Sequence, residues 1–543
     1  MVNLLFVTVF LPLAGASVIW ILAEGGPKVI RWIALATSLI TLGLTGWLVM
    51  HYPQGVPGVD AAWLSPSPGG APDIRFSLGL DGLSLWLFAL SALLMVTSVL
   101  VSWEAISERP VAFYSLLLVL ETGMLGVFAA RDIILFYVFF EFTLVPLFFL
   151  IGIWGSEERR YAAIKFFLFT LAGSLLTFLG LLAIVLIDYH HSPSRTMTFS
   201  IPELTARLAE RPIDDSVQLW IFLALFAGFA IKVPLFPLHT WLPLAHVEAP
   251  TAGSVILAGI LLKVGTYGFL RFSLPMLPEA TAACMPWILW LSVAGIIYGA
   301  LVALVQTDIK RLIAYSSVSH LGFCMLGLFA LNRLGINGAV LQMVNHGLST
   351  GALFALVGML YERYHTRQIA DLGGLSRRTP LLAFFMVLFT LSSIGLPGLN
   401  GFAGELLILV GMFQRAWAEA PAVYAGQWLT IAVLAVFGVV LGAWYMLWLV
   451  ERVFFGPLRE PQHDEHAAVV RDLSVREVLA LAPLAVFVFW IGLVPQHFLK
   501  PMEGDLNQLA TQLGARVEQR FGPPARLDLA ATPQPSREPP RVD

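Results

Sequence analysis

Charge is what this sequence has least of. Asp, Glu, Lys and Arg together make up 12% of its 543 residues, about half the ~25% usual in soluble chains. With 58% hydrophobic residues and a mean hydropathy of +0.80, a polytopic membrane protein is the one class left. Cysteine is nearly absent. Cys284 and Cys324 sit in separate apolar runs and match neither a disulfide framework nor a metal spacing. No GxGxxG opens a helix after a strand, and there is no phosphate loop, cysteine cluster or haem-spaced histidine pair. The chain is therefore expected to hold no metal, nucleotide or redox cofactor of its own. The net charge is −3, and no basic stretch is interleaved with aromatics, which sets nucleic acid aside as a partner. The first lysine is Lys28, so residues 2–23 lack the basic start of a cleaved signal peptide and are expected to stay as a first helix.

What is abundant is apolar length. Stretches near the ~20 residues that cross a bilayer recur about fourteen times, the first at 2–23 and the last at 478–498. The Pro- and Gly-rich connection 51–77 and the polar connection 188–216 are expected to be water-facing loops. The tail from about 503, ending ATPQPSREPPRVD, is Pro-rich and expected to carry no packed structure. Lys and Arg gather in the odd-numbered connections, as at Lys28, Arg159, Arg160, Lys310 and Arg311; Arg195 is one of the fewer in even ones. That bias places the odd connections in the cytoplasm and both termini outside.

Two spans read as interrupted. In GFAIKVPLFPLHTWLP, Pro234, Pro237 and Pro243 follow Lys232 closely. Each lacks an N–H, so the carbonyls of Ala230, Val233 and His239 lose their helical partners. Such carbonyls are tolerated at membrane depth only beside protein or a water-filled cavity. The second interruption is SSIGLPGLNGFAGELL, with Glu405 just after it. Two broken helices at matching places, near 232–243 and 393–404, are the pattern of inverted-repeat transporters with a midplane ion site. The expected organisation is therefore N-terminal helices at 1–110, one five-helix repeat at 111–274, a second at 275–455, and a last helix with tail at 456–543.

The few charges inside these spans carry the functional signal, because an ionisable group in hydrocarbon is costly and usually marks a proton or ion path. Glu141 lies in LFYVFFEFTLVPLFFL, with Lys232 as its candidate partner; a static ion pair is the plainer alternative. Lys263 sits in ILLKVGTYGFL beside glycines that allow close helix approach, and snorkelling is its plainer alternative. Unlike arginine, a lysine can give up its proton when desolvated. His320 and His346 are surrounded by Ser316, Ser317, Ser319, Asn345, Ser349 and Thr350, and imidazole passes protons at either ring nitrogen. Glu405 is read as an exit carboxylate, with a cap satisfying the broken helix as its plainer alternative. His239, Glu121 and Lys165 rank lower, with Lys165 close to an interface.

These motifs resemble a known family. LFYVFFEFTLVPLFFLIGIWG, the long run from Lys232 to Phe272, QTDIKRLIAYSSVSHLG, NHGLSTGALF, DLGGLSRRTPLLAFFMVLFTLSSIGLPGLNGFAGE and VFFGPL are similar to the M-type antiporter-like subunits of bacterial NADH:quinone oxidoreductase, respiratory complex I. The resemblance covers about residues 75–460. It implies an all-α membrane protein of fourteen core helices with two inverted five-helix repeats and a proton channel across the midplane. It implies that Glu141 and Lys232 form a coupled acid–base pair, that Lys263 is the central relay lysine, and that His320 and His346 are relay histidines. Glu405 is then the terminal carboxylate. Leu244 departs from the aspartate common in relatives, which leaves His246 and Glu248 as secondary candidates for proton entry; His239, expected to line the break, is the third secondary candidate. The implied partners are other membrane-arm subunits, including neighbouring antiporter-like ones, and the lipid of the bacterial inner membrane. Quinone, NADH, FMN and iron–sulfur clusters would belong to partner subunits. The wider superfamily keeps two rivals open, an Mrp-type cation/proton antiporter subunit and a membrane-bound hydrogenase subunit. A structural spacer is a third, and it has no use for the buried charges.

Overall fold

Capping side chains and prolines set where most of the apolar runs begin. Asn3 accepts the N–H groups of Leu5 and Phe6 to start α1 (Leu4–Ile21), and Pro27 stands in the first turn of α2 (Gly26–His51), where its missing N–H costs nothing. The computed structural model describes residues 3–53, 58–64, 72–192, 196–461 and 470–524. The core of the chain continues as α3 (Leu85–Ala105), α4 (Pro110–Ala129), α5 (Ile133–Phe142), α6 (Leu144–Trp154) and α7 (Arg159–His191). A short α8 (Ile201–Glu210) precedes α9 (Asp215–Lys232) and α10 (Trp241–Glu248). Then come α11 (Thr251–Met276), α12 (Pro278–Leu304), α13 (Ile309–Phe329) and α14 (Arg333–Tyr364). The chain closes with α15 (Pro380–Ser393), α16 (Asn400–Trp417), α17 (Ala422–Phe454), α18 (Val475–Leu493) and α19 (Glu503–Phe521).

The fold is all-α and polytopic. Among the described residues, 13 helical segments are long and apolar enough to cross a membrane, and Pro380–Ser393 is a shorter apolar helix. The stretch read as one span at 380–412 is two helices in series, α15 and α16. Burial sorts the helices into layers. The apolar windows of α11 and α14 are 100% buried and that of α13 is 94% buried, whereas those of α17 and α18 reach only 33% and 39%. Three polar-bearing helices thus form the axis of the molecule, and the rest shield them.

Both expected interruptions are present. After Lys232 the chain turns through residues 233–240 before α10 resumes at Trp241. Two of the three freed carbonyls find other donors: Ala230 accepts from Leu235 N–H at 2.9 Å and His239 from Leu242 N–H at 3.0 Å. The Trp241 indole reaches back to Ile231 O at 2.9 Å. Pro243 makes no break; it lies in the first turn of α10, where a helix has spare N–H positions. The second interruption, residues 394–399, uses Gly395 and Gly398 at φ of 72° and 92°, a region favoured by glycine. A smaller interruption at Thr143 separates α5 from α6; Pro146, three residues on, leaves Phe142 O without its helical donor.

Three expectations are corrected. The connection 51–77 contains an antiparallel hairpin, β1 (Val59–Leu64) with β2 (Ile74–Leu78), tied by Arg75 and Asp60; Pro and Gly content points to loop alone and hides the strands. The connection 188–216 contains α8, whose Ile201, Leu204 and Leu208 are buried at helical spacing. The segment from 503 is not all tail. α19 buries Leu506, Leu509, Leu513 and Val517 along one face, a pattern obscured by the Pro-rich composition that follows. Residues 525–543, with ATPQPSREPPRVD, lie outside the described residues, as does Arg195.

Candidate functional site

The polar groups of the axis meet in one line. Lys263 sits in α11 just past a π-helical turn at Leu257–Leu261, and a second such turn follows at Phe269–Ser273. Turns of this kind are rare and concentrate at functional sites. The Lys263 side chain is fully buried and donates to Ala258 O inside the first π turn. Its Nζ lies 2.6 Å from His346 Nδ1 on α14. The rings of His346 and His320, the latter on α13, have centroids 5.7 Å apart. His320 Nδ1 then lies 3.3 Å from Glu405 Oε1 on α16, and its Nε2 is 3.1 Å from Ser393 Oγ. Four helices thus bring lysine, two histidines and a carboxylate into succession, all of them buried.

Uncharged groups hold the far end of this line. Gln342 Nε2 donates to Glu405 Oε1 at 3.1 Å, and Asn345 donates to Gln342 Oε1 at 3.2 Å and to Asn400 O at 2.7 Å. Ser392 Oγ bonds Asn400 Oδ1 at 2.5 Å and Ser349 Oγ at 2.6 Å. The second helix interruption is therefore stitched to α14 around Glu405. Sequence does not single out Gln342, Ser392, Ser393 and Asn400, since polar uncharged residues in an apolar run carry little signal. Ser316 and Ser317 both bond Ile313 O, and Ser319 bonds Ile296 O. Their hydroxyls bond helix backbone.

Glu141 and Lys232 form a separate group. Lys232 is buried, with its ammonium 4.3 Å from the ring centroid of Phe140, a cation–π seat. It makes no direct ion pair with Glu141, whose Oε1 has no hydrogen-bond partner among the described residues. The two remain within electrostatic reach. The first interruption places Lys232 at the last turn of α9, close to where Gly265 lets α11 pack on Val233.

The secondary candidates divide. His239 lies in the first interruption, between Phe236 and Tyr298 at ring distances of 5.8 and 5.0 Å, and its Nδ1 is unpartnered among the described residues. His246 is fully buried, stacked on Phe354 at 4.4 Å, with neither ring nitrogen partnered among the described residues. Glu248 serves the local backbone, its Oε2 accepting the N–H of Glu158 at 3.0 Å, at the start of α7. Lys165 lies 5.9 Å over the Tyr161 ring near the start of α7. Glu121 is wholly buried on α4, and both its oxygens lack hydrogen-bond partners among the described residues. The described residues contain no cluster of three or more metal-ligating side chains, and both cysteines are buried and free.

Over residues 130–441 the chain matches the family described as NADH:quinone oxidoreductase/Mrp antiporter, TM. It is 41% identical to NADH-quinone oxidoreductase subunit M of Rhodobacter capsulatus, covering 94% of this chain and 99% of that protein. It is 40% identical to subunit M of Escherichia coli, covering 92% and 96%, and 41% identical to NADH-ubiquinone oxidoreductase chain 4 of Arabidopsis thaliana, covering 92% and 95%. A chain of respiratory complex I from Thermus thermophilus superposes with a TM-score of 0.78 at 34% identity, over 94% of this chain and 99% of that one. A chain of the Mrp complex from Dietzia sp. shares the fold, with a TM-score of 0.76 at 21% identity over 95% and 100%. Matched over more than half of its length and aligned almost end to end with these relatives, the chain belongs to the NADH:quinone oxidoreductase/Mrp antiporter transmembrane family.

Proposed function

We propose that this chain is a proton-translocating membrane-arm subunit of a bacterial NADH:quinone oxidoreductase, without a redox centre of its own. The observation that carries this reading is the buried succession Lys263–His346–His320–Glu405 along the best-shielded helices of the molecule. Lys263 shares a short contact with an imidazole, and that imidazole faces a second one that reaches a carboxylate. Each member binds and releases a proton at a defined atom, and the two imidazole rings lie side by side with centroids 5.7 Å apart. Glu141 and Lys232 act as the coupling pair in this reading. Two unit charges 4 Å apart interact by about 4 kcal/mol at an effective dielectric of 20. Carrying one charge against 100 mV takes about 2.3 kcal/mol, so closing or opening this one pair is enough to drive a transfer. Quinone reduction in partner subunits would set its state, and neighbouring antiporter-like subunits would pass the change along the membrane arm.

The same reading makes 111–274 and 275–455 two inverted repeats, supported by an interrupted helix in each. It places the chain in the bacterial inner membrane with both termini on the periplasmic side, supported by the Lys and Arg bias. NADH, FMN, iron–sulfur clusters and quinone are assigned to other subunits. The test is the Lys263→Ala variant in the purified complex reconstituted into liposomes. Proton pumping per electron pair should fall while the complex still assembles; pumping at wild-type stoichiometry would reject the relay.

A further inference from the structure

Protons that reach Lys263 need a way in, because its side chain is fully buried. A cavity of about 460 Å³ opens between the ends of α3, α6, α13 and α14 and the junction of α10 with α11. This is the face of the odd-numbered connections. Its walls carry Glu104, Glu362, His365 and Arg367, and Lys310 also lines it. Lys310 counts in sequence only as one of the connection charges, yet its residue is just 7% exposed. Its ammonium donates to Ala249 O at 2.6 Å and Val247 O at 3.3 Å. Those carbonyls lie close behind His246 in the chain, and the His246 ring stands within electrostatic reach of both Lys310 and Lys263. A buried imidazole whose two ring nitrogens both lack partners costs roughly 1–3 kcal/mol for each unmet group. Phenylalanine would stack on Phe354 as well without that cost.

We propose that this cavity is the proton-collecting mouth of the chain and that Lys310 hands protons from it to His246, on the way to Lys263. The proposal rests on the relay reading above and adds its entry. The chemistry balances at Lys310. An ammonium has three N–H groups, two of which are engaged by Val247 and Ala249. The third goes to a ring nitrogen of His246 over one water. The neutral amine left behind keeps two N–H groups while its lone pair faces His246, and the amino group then rotates about its C–N bond to turn that lone pair to the cavity. It is recharged by a proton from the cavity, where Glu362 and His365 exchange with solvent. Around this step stand Glu248, Asp308 paired with Arg367 at 3.3 Å, and Glu104 paired with Arg476 at 3.3 Å.

The competing role for Lys310 is to cap α10, as Arg367 also does at Val247 O, 3.0 Å away. Capping needs charge and donors, and arginine supplies both; a relay needs a proton that leaves, and arginine keeps its own. The deciding experiment measures NADH-driven proton pumping by the whole complex in liposomes, with assembly checked by native electrophoresis. Lys310→Arg should assemble and pump about a hundredfold more slowly, the lower end of the effect of one acid–base group. Wild-type pumping by Lys310→Arg overturns the proposal. Should that variant fail to assemble, His246→Phe decides, with the same loss expected and wild-type pumping again overturning it. Lys263→Ala runs alongside. If it is inactive while the entry variant pumps normally, only the mouth is wrong; if it too pumps normally, the relay itself is wrong.

Discussion

Between Lys263 Nζ and His346 Nδ1 there is room for one proton, at 2.6 Å. Whichever atom holds it, the other must accept, so the pair works only if both side chains titrate. His346→Gln keeps a polar group near that position without titration, and should slow pumping by about a hundredfold with little loss of assembly; reconstituted pumping assays check this. Glu405→Gln should behave alike for the opposite end, since the amide can still accept from Gln342 yet cannot take a proton from His320. Charge was legible at this scale. Glu141, Lys232, Lys263, His320, His346 and Glu405 stand out because ionisable groups interrupt apolar runs. The supporting Gln342, Ser392 and Asn400 did not, because an uncharged polar residue in a membrane helix is ordinary until its partner is known.

Helix elements bring these side chains together through close backbone crossings. A Cβ on Gly347 would lie 2.7 Å from Gly259 O and 2.5 Å from Leu90 Cδ2, so α14 and α11 meet there without side chains between them. This crossing sits next to His346 and one helical turn from Lys263. Gly347→Val should cost about 1–3 kcal/mol as overpacking and loosen the Lys263–His346 contact. A lower melting temperature of the complex together with lost pumping is the expected result. Sequence placed both helix interruptions, because Pro and Gly act locally on the backbone. It did not place the two π turns of α11, whose residues follow no local rule and whose register is set by packing on neighbouring helices.

At the scale of the whole molecule, α19 closes one end of the bundle. Leu506, Leu513 and Val517 are buried beneath it, Asp505 accepts the Gly82 N–H at 3.1 Å, and Glu503 pairs with Arg333. Leu513→Ala should destabilise the protein by about 2–5 kcal/mol if the site cannot collapse, read as a lower melting temperature. Asp505 adds a pH dependence. Burial, and next the charge of Asp81, hold its carboxyl above the usual aspartate range, against the Gly82 N–H and Arg271. A raised acid binds more protons folded than unfolded, so its contribution is favourable at low pH and is lost as pH rises. Hydrogen exchange over 503–521 should therefore quicken as pH climbs from about 4, the ordinary aspartate pKa, after correction for intrinsic exchange. Asp505→Asn should remove that slope.

By itself the sequence determined that the chain lives in a membrane, how many times its apolar runs recur, where two helices break and which charges lie deep. Each of these follows from transfer energy, missing N–H groups or hydrocarbon thickness, all of which act on neighbours along the chain. Tertiary structure alone decided that Lys263 meets His346, that Ser316 and Ser317 turn to backbone while Ser393 turns to His320, and that Lys310 faces a cavity. It also decided that Lys232 rests on Phe140 and not on the Glu141 carboxylate. Those outcomes depend on the rotation and crossing of helices far apart in the chain, which packing fixes and no local pattern encodes.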